Sequence, residues 1–166
     1  QEKRNFLAIL DEYSKPENRI YRYNFYYDNC TTRARDVIVK AMEGKVEYLS
    51  WKNKQENETF RDLIHSKNAD YPWCQWGNDF LLGVGSDAKM THAERQFIPE
   101  MLEADFDSAI VILPNGAKKP LVESTAILLP AGQSMAAPMA GFPLSPEACS
   151  VLFLILVRVF TMCEKF

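Results

Sequence analysis

Histidine occurs only twice, at His65 and His92, and the cysteines at 30, 74, 149 and 163 include no CxxC pair. That scarcity leaves no spacing suited to a zinc site, and nothing suggests another metal or an organic cofactor. A dense disulfide framework is excluded too. On a helical C-terminal segment Cys149 and Cys163 stand about 21 Å apart, far beyond the ~4.4–6.8 Å between Cα atoms that a disulfide allows. Cys30 with Cys74 stays open. Basic excess is also missing: 19 Lys plus Arg face 22 Asp plus Glu, for a net charge of −3, which argues against a nucleic-acid partner. The sequence opens on Gln1 rather than Met, and because Asn5-Phe6-Leu7-Ala8-Ile9-Leu10 is short and helix-like no signal peptide is expected in it. A helix opening at the first residue leads us to expect a chain cut from a longer protein.

What is present suits a packed domain with an appendage. Of 166 residues, 47% are hydrophobic and 25% charged, so wholesale disorder is excluded. Charge is uneven. Residues 1–67 carry 13 basic and 11 acidic side chains, residues 68–133 carry 4 and 9, and beyond residue 133 there are only 2 of each. Composition changes character near Ser134, and we expect a domain over 1–133, a linker over 134–144, and an apolar, membrane-directed helix over 145–166.

Periodicity predicts a helix over 4–13 ended by the Ser14-Lys15-Pro16-Glu17-Asn18 turn cluster. Ile20 to Tyr27 reads as a strand, with Tyr21, Tyr23 and Phe25 on one face. Cys30 to Met42 reads as a helix, with Gly44 as its stop. A polar loop over 52–58 precedes short helices around 59–65 and 73–82, the second ending at Gly83. Thr91-His92-Ala93-Glu94 is a capping box, expected to open a helix reaching Glu103 and burying Phe97, Met101 and Leu102. Strands over 110–113 and 121–129 flank an Asn115-Gly116 turn. Ser145-Pro146-Glu147 opens the last helix. Its stretch from Ala148 to Cys163 is apolar except at Arg158 and shorter than the ~20 residues a bilayer span requires.

Cys30 is the chemical centre of interest. A cysteine opening a helix sits among unpaired N–H groups and the positive end of the macrodipole, which favour a thiolate. An aromatic strand, an Asp-Asn turn and a helix-opening cysteine make the arrangement of a papain-like nucleophile; a small buried structural cysteine is the plainer alternative. Asp28 and Asn29 read either as turn and cap residues or as support for catalysis, Asp28 by orienting an imidazole. Arg33 and Arg35 are placed to hold Asp36 or a phosphate, or simply to face water. The aromatics from Tyr21 to Tyr27 suit a packed interface or an acyl-chain wall, and Trp73 and Trp76 suit helix packing or a membrane interface.

The run Tyr21-Arg22-Tyr23-Asn24-Phe25-Tyr26-Tyr27-Asp28-Asn29-Cys30-Thr31-Thr32-Arg33-Ala34-Arg35-Asp36 closely resembles the hallmark of the Lnb N-terminal periplasmic domain family. Phe60-Arg61-Asp62-Leu63-Ile64, Leu82-Gly83, Asp87, Phe97-Ile98-Pro99 and Pro120-Leu121-Val122 agree in order, so the resemblance covers about residues 5–125. It implies a permuted papain-like domain in the periplasm joined to inner-membrane helices, with a cysteine acting beside a histidine. Family members named Lnb move a fatty acyl chain to the N-terminal cysteine of a lipoprotein. On that resemblance Cys30 is the nucleophile, passing through a thioester, and the Asp-Asn turn sets Asp28 and Asn29 beside it as candidate catalytic residues.

The family's histidine precedes its cysteine, and here no histidine precedes Cys30. The resemblance therefore implies a base lying outside these residues, with His65 and an exposed His92 as weaker candidates. The fold class expected is α+β: a small antiparallel sheet, a helical lobe and a C-terminal apolar helix. The function expected is a membrane-anchored periplasmic acyltransferase, meeting lipoprotein or phospholipid acyl groups at the inner membrane. A cell-wall peptidase or amidase, and a non-catalytic binding module, are the alternatives.

Overall fold

The computed structural model describes residues 1–51, 57–128 and 144–163. It divides into two compact units: residues 1–60 with 89–126, and residues 61–88 with 127–166. The fold is mixed helix and sheet, as the α+β expectation has it.

In the first unit, α1 (Glu2–Ser14) packs on α2 (Cys30–Ala41). The Asn5 amide donates to the Ala41 carbonyl at 3.3 Å. Glu2 accepts from the Glu43 N–H and from Lys119, tying the first turn of α1 to the sheet. The three-stranded antiparallel sheet has the order β1 (Lys45–Tyr48), β2 (Ala109–Ile112), β3 (Lys118–Pro120). Lys45 pairs with Ile112 and Tyr48 with Ala109, while Ile110 pairs with Pro120. The β2–β3 turn follows the sequence expectation. Gly116 adopts φ 82°, and Asn115 accepts the Ala117 N–H at 2.9 Å, the roles these residues favour in tight turns.

Three elements depart from the expectation. The segment 20–27 is no strand. Asn24 and Asp28 exchange backbone hydrogen bonds at 3.0 Å, and the Asn24 side chain accepts from the Tyr26 and Tyr27 N–H groups, so the chain turns back on itself. Consecutive rings then pack: Tyr26 and Tyr27 both reach Phe60, at 4.4 and 5.6 Å between centroids, and Phe25 meets Phe97 at 5.6 Å. Period-2 alternation fails because, among the described residues, no strand neighbours the segment to impose it.

The helix expected from Thr91 to Glu103 is broken. Its capping box forms, but α5 (His92–Arg95) is one turn, and α6 (Pro99–Ser108) begins anew. Proline displaces the preceding residue from helical backbone, and Ile98 is extended at ψ 129°. Phe97 and Leu102 are buried as expected. Gly44 is not a helix cap: α2 ends through Met42, and a Cβ at Gly44 would stand 2.3 Å from the Ile112 carbonyl oxygen. The strand expected over 121–129 does not form over its described residues 121–128; the partner of β2 is instead β3, which ends at Pro120.

In the second unit, α3 (Phe60–Asn68), which starts at the last residue of the first, is followed by α4 (Pro72–Leu82). Gly83 ends α4 at φ 61°, as the sequence predicts. The last helix, α7 (Pro146–Cys163), opens at Ser145, whose hydroxyl accepts the Ala148 N–H at 3.2 Å. Among the described residues no helix is long and apolar enough to cross a membrane. Residues 134–143 of the expected 134–144 linker and residues 52–56 of the expected polar loop lie outside the described residues.

Candidate functional site

Cys30 is the first residue of α2, and its thiol is free and exposed. Local hydrogen bonding fixes where the helix starts. The buried Asn29 side chain accepts the Thr32 N–H at 2.9 Å, and the Thr32 hydroxyl accepts the Asn29 N–H at 2.9 Å, a reciprocal capping box. The Asn29 amide group also donates to the Phe25 carbonyl at 3.1 Å and to the Phe97 carbonyl at 2.8 Å. One side chain thus anchors the helix start, the preceding turn and the segment before α6. The Asn29 carbonyl takes the Arg33 N–H at 3.1 Å. The N–H groups of Cys30 and Thr31 have no hydrogen-bond partner among the described residues, and they flank the thiol at the positive end of the helix.

Asp28 sits one residue before the cap, with both carboxylate oxygens accepting from Arg33: Nε at 2.7 Å and Nη2 at 2.9 Å. Those hydrogen bonds hold the Asp28 carboxyl below its ordinary pKa. The same guanidinium lies over the Tyr21 ring, 3.4 Å from its centroid. Arg33 therefore clamps the aromatic turn to α2. Arg35 does hold Asp36, at 2.7 Å, and also reaches the Ala93 carbonyl.

The histidines are placed differently. His92 is buried in α5, not exposed as its capping-box position suggested. His65 Nε2 lies 2.8 Å from Asp79 Oδ1 within the second unit. Arg61 binds the same Asp79, together with Asp87 at 2.6 Å and the Gly83 carbonyl at 2.8 Å. Burial pushes the Asp79 carboxyl up, but the hydrogen bonds from His65 and Arg61 outweigh it and hold it below its ordinary value. Around Cys30 the sulfur's hydrogen-bonding neighbour among the described residues is Thr31 Oγ1, at 4.0 Å. Among the described residues no three His, Cys, Asp or Glu side chains gather where a metal ion would be held.

Sequence reasoning missed the reach of Asn29 to Phe97 and the pairing of His65 with Asp79. Neither has a local signal, since the partners are separated by 68 and 14 residues.

Among known proteins, the chain is similar over residues 1–66 to the family model described as the Lnb N-terminal periplasmic domain. The match takes in α1, the aromatic turn, all of α2 and most of α3. No curated protein matches the chain, and no solved structure does. The similarity is thus to a periplasmic domain, and it includes the residues that place Cys30.

Proposed function

We propose that the chain carries the nucleophile of a periplasmic cysteine acyltransferase, held at the inner membrane through α7. The observation that carries this reading is the exposed Cys30 thiol at the capped start of α2, within the segment similar to the Lnb N-terminal periplasmic domain. In the proposed reaction the Cys30 thiolate attacks the ester carbonyl of a phospholipid. The tetrahedral oxyanion is stabilised by the free Cys30 and Thr31 N–H groups, the ester C–O bond breaks, and the lysophospholipid alcohol leaves with a proton. A lipoprotein amine then attacks the thioester, forming an amide and returning the thiol. In this reading Asn29 and Asp28 position the nucleophile: Asn29 by setting the helix start, Asp28 through Arg33. The resemblance implies a base lying outside these residues, and the hydrogen-bonding neighbour of the Cys30 sulfur among the described residues is Thr31, not a histidine.

The test is capture of the intermediate. The protein is incubated with phosphatidylethanolamine, and Cys30 is read by peptide mass spectrometry beside a Cys30→Ser control. A hydroxylamine-labile acyl adduct on Cys30, absent from the control, is expected. Cleavage of a cell-wall peptide without any lipid adduct transfers the reading to a peptidase or amidase. Alkylation of Cys30 with the pH dependence of an ordinary thiol, about 8.5, leaves a binding module.

A further inference from the structure

We infer that the exposed aromatic face of α4, centred on Trp76 and Phe80, docks on the surface of the lipid bilayer that receives α7. The inference rests on the membrane placement proposed above and extends it to α4, for whose tryptophans the sequence left helix packing and a membrane interface both open.

Two faces of α4 differ in chemistry. Its one charged residue, Asp79, is engaged by Arg61 and His65 of α3. Trp73, Trp76 and Phe80 recur at helical spacing along an exposed stripe, with Trp76 and Phe80 stacked at 6.1 Å and 10°. Phe80, Leu81 and Val84 are 79%, 80% and 88% exposed. A continuous apolar surface of this kind marks an interaction site on a protein.

What covers it is argued from α7. From Val151 to Met162 its apolar side chains are 44–72% exposed in every direction around the helix. A protein groove covers one stripe of a helix; hydrocarbon covers the whole circumference. The α4 stripe continues that surface. Trp73 Nε1 donates to the Leu144 carbonyl at 3.1 Å, just ahead of α7. Trp73, Trp76, Cys149, Phe153 and Leu154 line an open groove of about 450 Å³ between the two helices. No charged residue lines it, so the fit is to neutral lipid rather than to an anionic head group. Tryptophans beside the start of an apolar helix are the side chains enriched at the membrane–water interface.

The test uses the whole chain as a Trp51→Phe variant, leaving Trp73 and Trp76 as reporters. Zwitterionic phosphatidylcholine vesicles brominated on their acyl chains are added, and both sedimentation and tryptophan quenching are read. Vesicle binding with strong quenching is expected, insensitive to salt. Most of the quenching is lost on further Trp76→Phe substitution. The exposed Phe80→Glu/Leu81→Glu pair should still sediment through α7 but lose quenching. Sedimentation without quenching overturns the docking of α4 and leaves the membrane role of α7 standing. Failure to sediment overturns both. A concentration-dependent dimer that does not bind vesicles assigns the face to a second copy of the chain and also overturns the inference.

Discussion

Asn29 makes more hydrogen bonds than a cap requires, and its replacement separates its duties. Asn29→Ala removes the cap and leaves the Phe25 and Phe97 carbonyls without their donor. A cap is worth ~1 kcal/mol and each lost hydrogen bond about as much, so the loss is on the order of 2–3 kcal/mol. Urea unfolding should show a lower midpoint at unchanged slope. Asn29→Asp keeps the acceptor and loses both donors, so its loss should be smaller. If Ala and Asp cost the same, the cap is not what sets the helix start. Beside it, Asp28 titrates low because Arg33 holds both of its oxygens. Lysine cannot reproduce that fork or stack on Tyr21 in the same way. Arg33→Lys should therefore move the Asp28 pKa up toward the ordinary carboxylate value, read by carbon NMR of the carboxyl group.

At the scale of elements, the sheet depends on a close approach that only glycine permits. A Cβ at Gly44 would meet the Ile112 carbonyl oxygen at 2.3 Å and a Val111 methyl at 2.9 Å. The nearer atom is backbone, held in the β1–β2 ladder, and cannot swing aside. Gly44→Ala should cost about 1–3 kcal/mol through overpacking, visible as a lower midpoint in thermal unfolding. A change of a few tenths would mean that β1 can shift its register. Elsewhere Gly83 and Gly116 serve their own turns at positive φ, and those roles were readable from their neighbours. The role of Gly44 was not, because the atoms it approaches lie in β2, more than sixty residues along the chain.

Across the whole molecule, acid should act on the second unit through Arg61. Asp87 is held low by its hydrogen bonds to Arg61, and Asp79 by those from His65 and Arg61 against its burial. A carboxyl with a depressed folded pKa contributes stability that is complete above its unfolded value. That stability is lost as pH falls through the folded value. The protection of α3 and α4 amides, taken relative to the intrinsic exchange rate at each pH, should therefore be steady near neutrality and fall below about pH 4, the ordinary range for Asp. Asp79→Asn should exchange faster already at pH 7 and show a flatter acid response. An acid response unchanged by Asp79→Asn would remove this cluster as its source.

The sequence alone determined what is decided within a turn of chain. Asn29 with Thr32, Thr91 with Glu94, and Ser145 ahead of Pro146 place helix starts through bonds spanning three residues, and Asn115-Gly116 sets its turn likewise. The break before Pro99 obeys a local rule as well, a proline acting on the residue before it, but the continuous helix expected from Thr91 to Glu103 passed over it. The same local logic puts Cys30 first in α2, but that its thiol is exposed rather than buried was settled by the packing. Only the tertiary structure decided the rest. β1 is four residues long and finds its partner across α3 to α6. The aromatic turn at 20–27 has strand-like composition but no neighbour to pair with. His65 meets Asp79, and Asn29 meets Phe97, because separate helices and turns converge. Local hydrogen bonds are specified by the residues that make them. Long-range contacts depend on which distant edge or carbonyl the completed chain leaves within reach, and no window of sequence contains that.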